Sequence, residues 1–190
     1  MNAELHTVRA SRSGGSTWRK LSAAVAVFLV VAATSVLGQS EDGIKAAFLY
    51  NFGKFTEWPG KAFTDGNTPI TVGFIGADSL ADMFEKNVTG KNANGRDFVV
   101  KKLAGGVGAE SCHILFIGDA TQVAAVMAAL KGKPVLTAGE GDGFSEAGGM
   151  IRFIKDGAKV SFDLNLGAAS GVALKLDPKV RQIARNVKGG

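Results

Sequence analysis

The rarest reactive side chains in this sequence are cysteine and histidine. The chain has one Cys and two His, and His113 directly follows Cys112. Neighbouring residues on a strand point to opposite faces, so this pair is poorly placed to form a cysteine–histidine catalytic dyad. The other histidine, His6, lies near the N-terminus, so we predict no multi-histidine metal site. A single cysteine also means no intramolecular disulfide, and we interpret Cys112 as a buried, unreactive thiol.

Glycine-rich segments are the next candidates for chemistry, because nucleotide-binding loops depend on glycine. None of the 26 glycines lies in a G-x-G-x-x-G or G-K-[ST] motif, so we predict no nucleotide cofactor. The segment GEGDGFSEAGG (139–149) nevertheless follows a predicted strand, and ligands of open α/β sheets bind beyond the carboxyl ends of strands. This segment is either a ligand loop, with Glu140 and Asp142 as binding residues, or a solvated connection to the next element.

A second group of candidate binding residues lies on the two strands that follow. Arg152 stands between Ile151 and Phe153 on the first strand, and Asp163 and Asn165 are on the facing strand. These three side chains could form a polar binding patch. The alternative is a cross-strand ion pair on the solvent-facing side of a hairpin.

The first element that must position these residues is an amphipathic helix. The segment DGIKAAFLYNFGKFTEWP begins at Asp42, and Trp58-Pro59 ends it because proline cannot donate to the helix ladder and restricts the residue before it. One helical stripe holds Ile44, Ala47, Phe48, Asn51, Phe52 and Phe55. An aromatic stripe of this kind could bind a partner, but we favour core packing.

The middle of the chain alternates short apolar runs with helical patterns. The runs predicted to form strands are 69–76, 98–103, 113–117 and 134–137. One predicted helix follows Asp78-Ser79, and another follows the capping-box spacing of Asp119 and Gln122. Continuous apolar strands separated by helices predict a largely parallel sheet that is covered on both faces.

The last third of the sequence departs from this alternation. Residues 150–154 and 158–164 flank Asp156-Gly157, a hairpin signal, and the second arm alternates apolar with polar residues. A closing helix is predicted from Asp177-Pro178, with Val180, Ile183 and Val187 on its apolar side. The fold class we predict is α/β: a single-domain layered sandwich with a mostly parallel sheet, helices on both faces and a C-terminal antiparallel hairpin.

The positive charge is concentrated at the N-terminus. The net charge is +5, but residues 1–38 contribute +3 of it, through Arg9, Arg12, Arg19 and Lys20 against Glu4. The remaining 18 basic and 16 acidic residues leave only +2. Nucleic-acid binding needs clustered Lys and Arg on the folded domain, so we predict no nucleic-acid partner.

The N-terminal basic residues precede an uncharged, largely apolar run from Leu21 to Leu37. A basic segment followed by such a run is typical of a secretory signal peptide. We predict cleavage after Gly38, a signal peptide at 1–38, a mature domain at 39–190 and a periplasmic location. The alternative is a retained anchor, because an apolar run of this length is close to the minimum that crosses a bilayer.

Four segments of this chain form a distinctive set in a fixed order. They are IKAAFLYNFGKFTEWP (44–59), CHILFIG (112–118), PVLT (134–137) and GGMIRFIKDGAKVSFDLNLGAASGVAL (148–174). Together they resemble the YfiR family of periplasmic proteins, and the resemblance runs from about Ile44 to Val187.

The resemblance implies an α/β sandwich and a regulator that is not an enzyme. Proteins of this type bind the outer part of an inner-membrane diguanylate cyclase and hold it inactive, which lowers cyclic di-GMP signalling and biofilm formation. Better-known relatives carry further cysteines that form disulfides. Cys112 has no partner in its chain, so redox control of that kind is not transferred to this protein.

Two functional hypotheses follow. The first is a periplasmic repressor that binds an inner-membrane sensor or cyclase. The second is a small-molecule binding module that uses the loop 139–149 and the carboxyl edge of the sheet. The candidate binding residues, whichever partner is bound, are Glu140, Asp142, Arg152, Asp163 and Asn165. We predict no cofactor in either case, and a homodimer stays open.

Overall fold

The computed structural model describes residues 40–189, so the predicted signal peptide lies outside the described part of the chain. The helices are α1 (Glu41–Phe55), α2 (Asp78–Val88), α3 (Val123–Ala129), α4 (Leu166–Ser170) and α5 (Pro178–Ile183). The strands are β1 (Thr56–Glu57), β2 (Ile70–Ile75), β3 (Asn92–Ala93), β4 (Arg96–Leu103), β5 (Ile114–Ile117), β6 (Leu136–Gly139), β7 (Ile151–Asp156), β8 (Lys159–Asn165), β9 (Lys175–Leu176) and β10 (Asn186–Lys188).

Eight of these strands form one sheet in the order β10-β8-β7-β6-β5-β2-β4-β3. Neighbouring strands run parallel throughout, except for the antiparallel pairs β7–β8 and β3–β4. The short strands β1 and β9 pair separately. The predicted α/β class, with its mostly parallel sheet and C-terminal antiparallel hairpin, is therefore confirmed.

The central strands are buried because both faces of the sheet are covered. Every residue of β2, β5 and β6 is buried. One apolar cluster lies between the sheet and the helices α1 and α2, and includes Leu49, Phe52 and Phe84. A smaller cluster on the opposite face includes Val123 and Val126 of α3. Continuous apolar strands in the sequence reflect this two-sided burial.

Helix α1 packs its aromatic stripe on the C-terminal hairpin. The Ser40 side chain accepts a hydrogen bond from the Gly43 N–H and caps the first turn. Phe52 is fully buried and meets Phe162 edge to face, with ring centroids 5.0 Å apart. The prediction of core packing is confirmed in part: Phe52 is fully buried, and Ile44, Phe48 and Phe55 are half-buried against the core. The fully buried apolar face of the helix is Ala46, Leu49 and Phe52, so it is shifted from the predicted stripe. The helix ends at Phe55, three residues before Trp58, because Thr56 and Glu57 pair with β9.

The hairpin of β7 and β8 follows the predicted alternation. Val160, Phe162 and Leu164 are buried, and Arg152 lies directly opposite Asp163. The turn contains Gly157 with a φ of +59°, a conformation that glycine adopts without strain.

The predicted closing helix is wrong in its second half. Helix α5 starts after Asp177, which caps it as expected, but it ends at Ile183. Val180 is buried, whereas Ile183 is 60% exposed and Val187 is 44% exposed. The chain instead turns into β10, which pairs parallel with β8. The Arg185 N–H donates to the Phe162 carbonyl oxygen, and this bond directs the chain along the sheet edge.

Candidate interaction site

A polar cluster in the described chain is centred on the carboxylate of Asp163. Arg152 Nη2 on β7 donates to Asp163 Oδ2 over 2.8 Å. Arg185 contributes two further bonds of 3.0 Å, from Nε to Oδ1 and from Nη2 to Oδ2. Asn186 Nδ2 donates to Oδ1, also over 3.0 Å. One carboxylate thus joins the strands β7 and β8 to the segment that leads into β10.

These donors determine the ionisation of Asp163. Burial on its own would raise the pKa of this carboxyl, but the hydrogen bonds from Arg185, Arg152 and Asn186 lower the pKa to about 2. A carboxylate that holds this many donors is a weak proton acceptor at neutral pH. The contact between Arg152 and Asp163 is the cross-strand ion pair that we gave as one alternative in the sequence analysis.

Asp142 and Asn165 border the same cluster. Arg152 Nη1 donates to Asp142 Oδ1 over 3.3 Å. Asn165 Oδ1 accepts from the Ala168 N–H over 3.1 Å and so caps α4. The structure therefore brings four of the five candidate binding residues together. It adds Arg185 and Asn186, which the sequence reasoning missed because it placed them in a helix.

A cleft of about 280 Å³ opens beside this cluster. Its walls come from the loop residues Ser145 and Glu146, from Arg152, and from Lys188 on β10. Arg152 Nε is buried and has no hydrogen-bond partner among residues 40–189. Cations and carboxylates both line the cleft, so it suits a small polar molecule with donor and acceptor groups.

Glu140 lies apart from the cluster and binds helix α1. Its carboxylate forms an ion pair with Lys45, which also pairs with Glu41 over 2.5 Å. Burial would lower the pKa of Lys45, but the two carboxylates raise it above its usual value. Lys45 is only 5% exposed and stays charged. This pairing ties the start of the loop 139–149 to the first helix.

The loop itself is anchored by an aromatic ring. Phe144 is 1% exposed and belongs to the apolar cluster under α3. Its ring occupies the space that a Cβ atom would need at Gly139 and at Gly149. The ring fits there because Gly139 and Gly149 have no side chains. The loop is exposed around Asp142 but is not solvated along its whole length.

Cys112 and His113 contact different parts of the core, as their adjacent positions predicted. The Cys112 side chain lies against Gly73, where an added Cβ would meet its sulfur. Burial raises the pKa of this thiol, which disfavours the reactive thiolate.

His113 holds the segment after α1 against the sheet. Its Nδ1 accepts from the Thr71 N–H over 3.0 Å, and its Nε2 lies 3.0 Å from the Ala62 carbonyl oxygen. The ring stacks on Phe63 with centroids 4.4 Å apart. Burial lowers the pKa of His113, so a neutral imidazole with the proton on Nε2 satisfies both bonds.

The sequence matches the family profile described as YfiR/HmsC-like over residues 42–185. This match spans most of the chain and nearly all of the described fold. The chain belongs to the YfiR/HmsC-like family. No curated protein matches it significantly.

The solved structures similar to this YfiR/HmsC-like chain are distant from it in sequence. A conserved domain protein from Vibrio cholerae has a TM-score of 0.52 and 11% identity, covering 78% of this chain and 60% of its own. The ABC domain in complex with L-Trp from Streptococcus pneumonia has a TM-score of 0.44 and 11% identity, covering 67% of this chain and 57% of its own. The chain thus spans less than two thirds of either structure. The first likeness supports an α/β fold alone.

YfiR/HmsC-like proteins are periplasmic regulators in cyclic di-GMP signalling. Within residues 40–189, no group of three or more His, Cys, Asp or Glu is arranged to hold a metal ion. None of the described helices has the length and apolar character needed to span a bilayer.

Proposed function

We propose that this protein is exported to the periplasm, where it binds and restrains the periplasmic part of an inner-membrane diguanylate cyclase or similar sensor. The observation that carries this proposal is the YfiR/HmsC-like match over residues 42–185. Binding lowers the output of the cyclase, and therefore the cellular level of cyclic di-GMP.

The position of the domain boundary supports export. The predicted cleavage after Gly38 would leave Gln39 as the first residue of the mature chain. Ser40 caps α1, and the family match begins at residue 42. Cleavage at this position would remove the basic and apolar segment and leave the cap of the first helix intact.

The chemistry of the described side chains supports a regulator. His113 is neutral and hydrogen-bonded through both ring nitrogens, and Cys112 is buried with a raised pKa. Asp163 is occupied by donors from three side chains. Each of these groups is engaged by other residues of the fold, which agrees with the regulatory role that the family match indicates.

Deleting the gene in its native host tests the proposal. We expect cellular cyclic di-GMP to rise, and a plasmid with the intact gene to return it to the original level. A deletion strain with unchanged cyclic di-GMP under several growth conditions would refute the proposed repression.

A second candidate function is binding of a small molecule in the cleft beside Arg152. The buried Arg152 Nε, which has no partner among the described residues, favours this alternative. A ligand that binds the folded state raises the apparent melting temperature. We expect a thermal-shift screen of amino acids, nucleotides and sugar phosphates to find a stabilising compound, whose effect is lost in Arg152→Gln. A screen without a stabilising compound would count against this function.

A further inference from the structure

Helix α3 has an apolar surface on its solvent side as well as on its core side. Val123 and Val126 face the core and are buried. The exposed positions are Ala124, Ala125, Ala128 and Ala129. A surface helix in a globular protein normally carries polar residues on its outer face. The outer face of α3 therefore resembles a surface that another molecule covers.

An apolar groove of about 520 Å³ runs beside this helix. One wall is formed by Ala124, Met127 and Ala128, and Val172, which follows α4, also lines it. Met150, which directly precedes β7, contributes as well. The volume falls in the range of about 300 to 1,000 Å³ that is common for binding sites. It can accept several side chains from one face of a helix.

The charges at the groove have one sign. Lys131 and Lys133 line it, and no Asp or Glu does so among the residues that the structure describes. The cleft beside Arg152 differs in this respect, because Glu146 and Asp163 line it together with the cations. An apolar occupant with acidic residues at its ends would complement the groove beside α3.

We propose that this groove is the surface that binds the partner protein, through an apolar segment of the partner flanked by Asp or Glu that pair with Lys131 and Lys133. This inference rests on the proposed function for the existence of a periplasmic partner. A second copy of the chain fits the groove less well, because two grooves that face each other would bring four lysines together.

Two pairs of substitutions separate the groove from the rest of the surface. Ala124→Glu adds a negative charge inside the groove, whereas Ala125→Glu adds the same charge at an exposed position that is not among the described groove residues. Both residues lie in the first turn of α3, where an acidic side chain is compatible with the helix dipole. The double variant Lys131→Glu/Lys133→Glu reverses the charge of the groove, and Lys86→Glu on the exposed side of α2 is its control.

The variants are compared in the deletion strain, with protein levels measured by immunoblot. We expect Ala124→Glu and the double lysine variant to bind the partner about tenfold more weakly or worse and to lose repression of cyclic di-GMP. Ala125→Glu and Lys86→Glu should repress like the wild type. The proposal is overturned if Ala124→Glu represses normally, or if Ala125→Glu is equally defective at equal protein level.

Photo-crosslinking identifies the occupant independently of cyclic di-GMP. The full chain is expressed in its native host with p-benzoylphenylalanine at position 124 or, as a control, at position 125, and the crosslinked peptides are sequenced. We expect an adduct from position 124 only, with an apolar segment that has acidic neighbours. An adduct with a second copy of the chain, with lipid, or with a segment that lacks acidic residues would overturn the proposal, as would no adduct.

Cyclic di-GMP levels and crosslinking at position 124 together show whether the groove proposal or the proposed repression has failed. If the gene deletion leaves cyclic di-GMP unchanged but position 124 crosslinks to an acid-flanked segment, the proposed repression fails and the groove proposal is supported. If the deletion raises cyclic di-GMP while Ala124→Glu represses normally, the repression is supported and the groove proposal fails.

Discussion

Single residues in this protein act as links between segments that are distant in sequence. His113 is the clearest example, because one ring binds Thr71 and Ala62 and stacks on Phe63. Its neighbour Cys112 faces another part of the core. Their adjacent positions thus predicted that Cys112 and His113 would not form a catalytic dyad. Their separate contacts agree with this prediction.

The His113 contacts make the stability of the domain depend on pH. The pKa of His113 in the folded state is below the usual value near 6.5, so the unfolded chain binds a proton more readily. We expect the contribution of the neutral ring to be complete above about pH 6.5 and to decrease as the pH falls towards the folded-state pKa.

This dependence is measurable by urea unfolding of residues 39–190 at pH 7.5 and 5.5. His113 is the only histidine in that segment, so histidine titration has one source. His113→Gln should show a smaller decrease in the free energy of unfolding than the wild type between these two pH values. An equal decrease in both proteins would contradict the assignment of this effect to His113.

At the scale of elements, the polar cluster and one aromatic ring set the arrangement of the C-terminal half. Asp163 joins β7, β8 and the segment before β10, while Phe144 anchors the loop 139–149. Both features connect parts of the chain that the sheet brings together.

The Asp163 cluster predicts a specific loss of stability. Asp163→Asn removes the charge that pairs with Arg152 and Arg185, and hydrogen bonds to charged groups contribute about 1.5–3 kcal/mol. We expect a decrease of about 2 kcal/mol in the free energy of unfolding at pH 7, measured with urea. The exposed Asp97 on β4 serves as a control, since Asp97→Asn should change stability by less than about 0.5 kcal/mol.

The same cluster gives a second dependence on pH in the acid range. The pKa of Asp163 is lowered to about 2, below the usual value of 3.8. Its contribution is therefore complete above about pH 3.8 and is lost as the pH falls towards 2. Asp163→Asn should unfold with a weaker pH dependence across this range, and an unchanged dependence would show that the cluster is not responsible.

The packing of Phe144 is testable through the glycines around its ring. Gly149→Ala would place a methyl group against this buried ring, and overpacking of this kind costs about 1–3 kcal/mol. Gly60 has open space at the same position, so Gly60→Ala should change the free energy of unfolding by less than about 0.5 kcal/mol. Equal stability of the two variants in urea would show that the ring does not fill this space.

At the scale of the whole molecule, the prediction concerns export. If residues 1–38 are a signal peptide, the protein in the periplasmic fraction of its native host begins at Gln39. Intact-mass spectrometry of the protein purified from that fraction should give the mass of residues 39–190. A full-length mass together with recovery in the membrane fraction would instead indicate a retained anchor.

The fold class followed from local patterns because each pattern reflects burial. Continuous apolar runs predicted strands that are buried on both faces. The alternation of apolar and polar residues predicted a hairpin with one solvent-exposed face. The prediction of the closing helix was wrong in its second half because it also relied on a local pattern. Ile183 and Val187 are four residues apart, which fits the buried face of a helix. Both are substantially exposed, and the hydrogen bond from Arg185 to Phe162 decides in favour of β10.

The candidate site was only partly predictable. Arg152, Asp163 and Asn165 were placed together because cross-strand neighbours follow from a hairpin register. Glu140 was grouped with them by sequence proximity, yet it pairs with Lys45 at the start of the chain's first described helix. No local pattern in the sequence predicts a pair of residues that are so far apart along the chain.

The sequence by itself determined the α/β class, the hairpin and the family to which the chain belongs. Periodicity and motifs are local properties, so they can be recognised in the sequence without knowledge of the tertiary structure. Only the tertiary structure decided that Asp163 joins three segments, that Phe144 fills the loop and that an apolar groove beside α3 has a lysine rim. These features depend on which distant segments meet, and that is determined by the packing of the whole sheet.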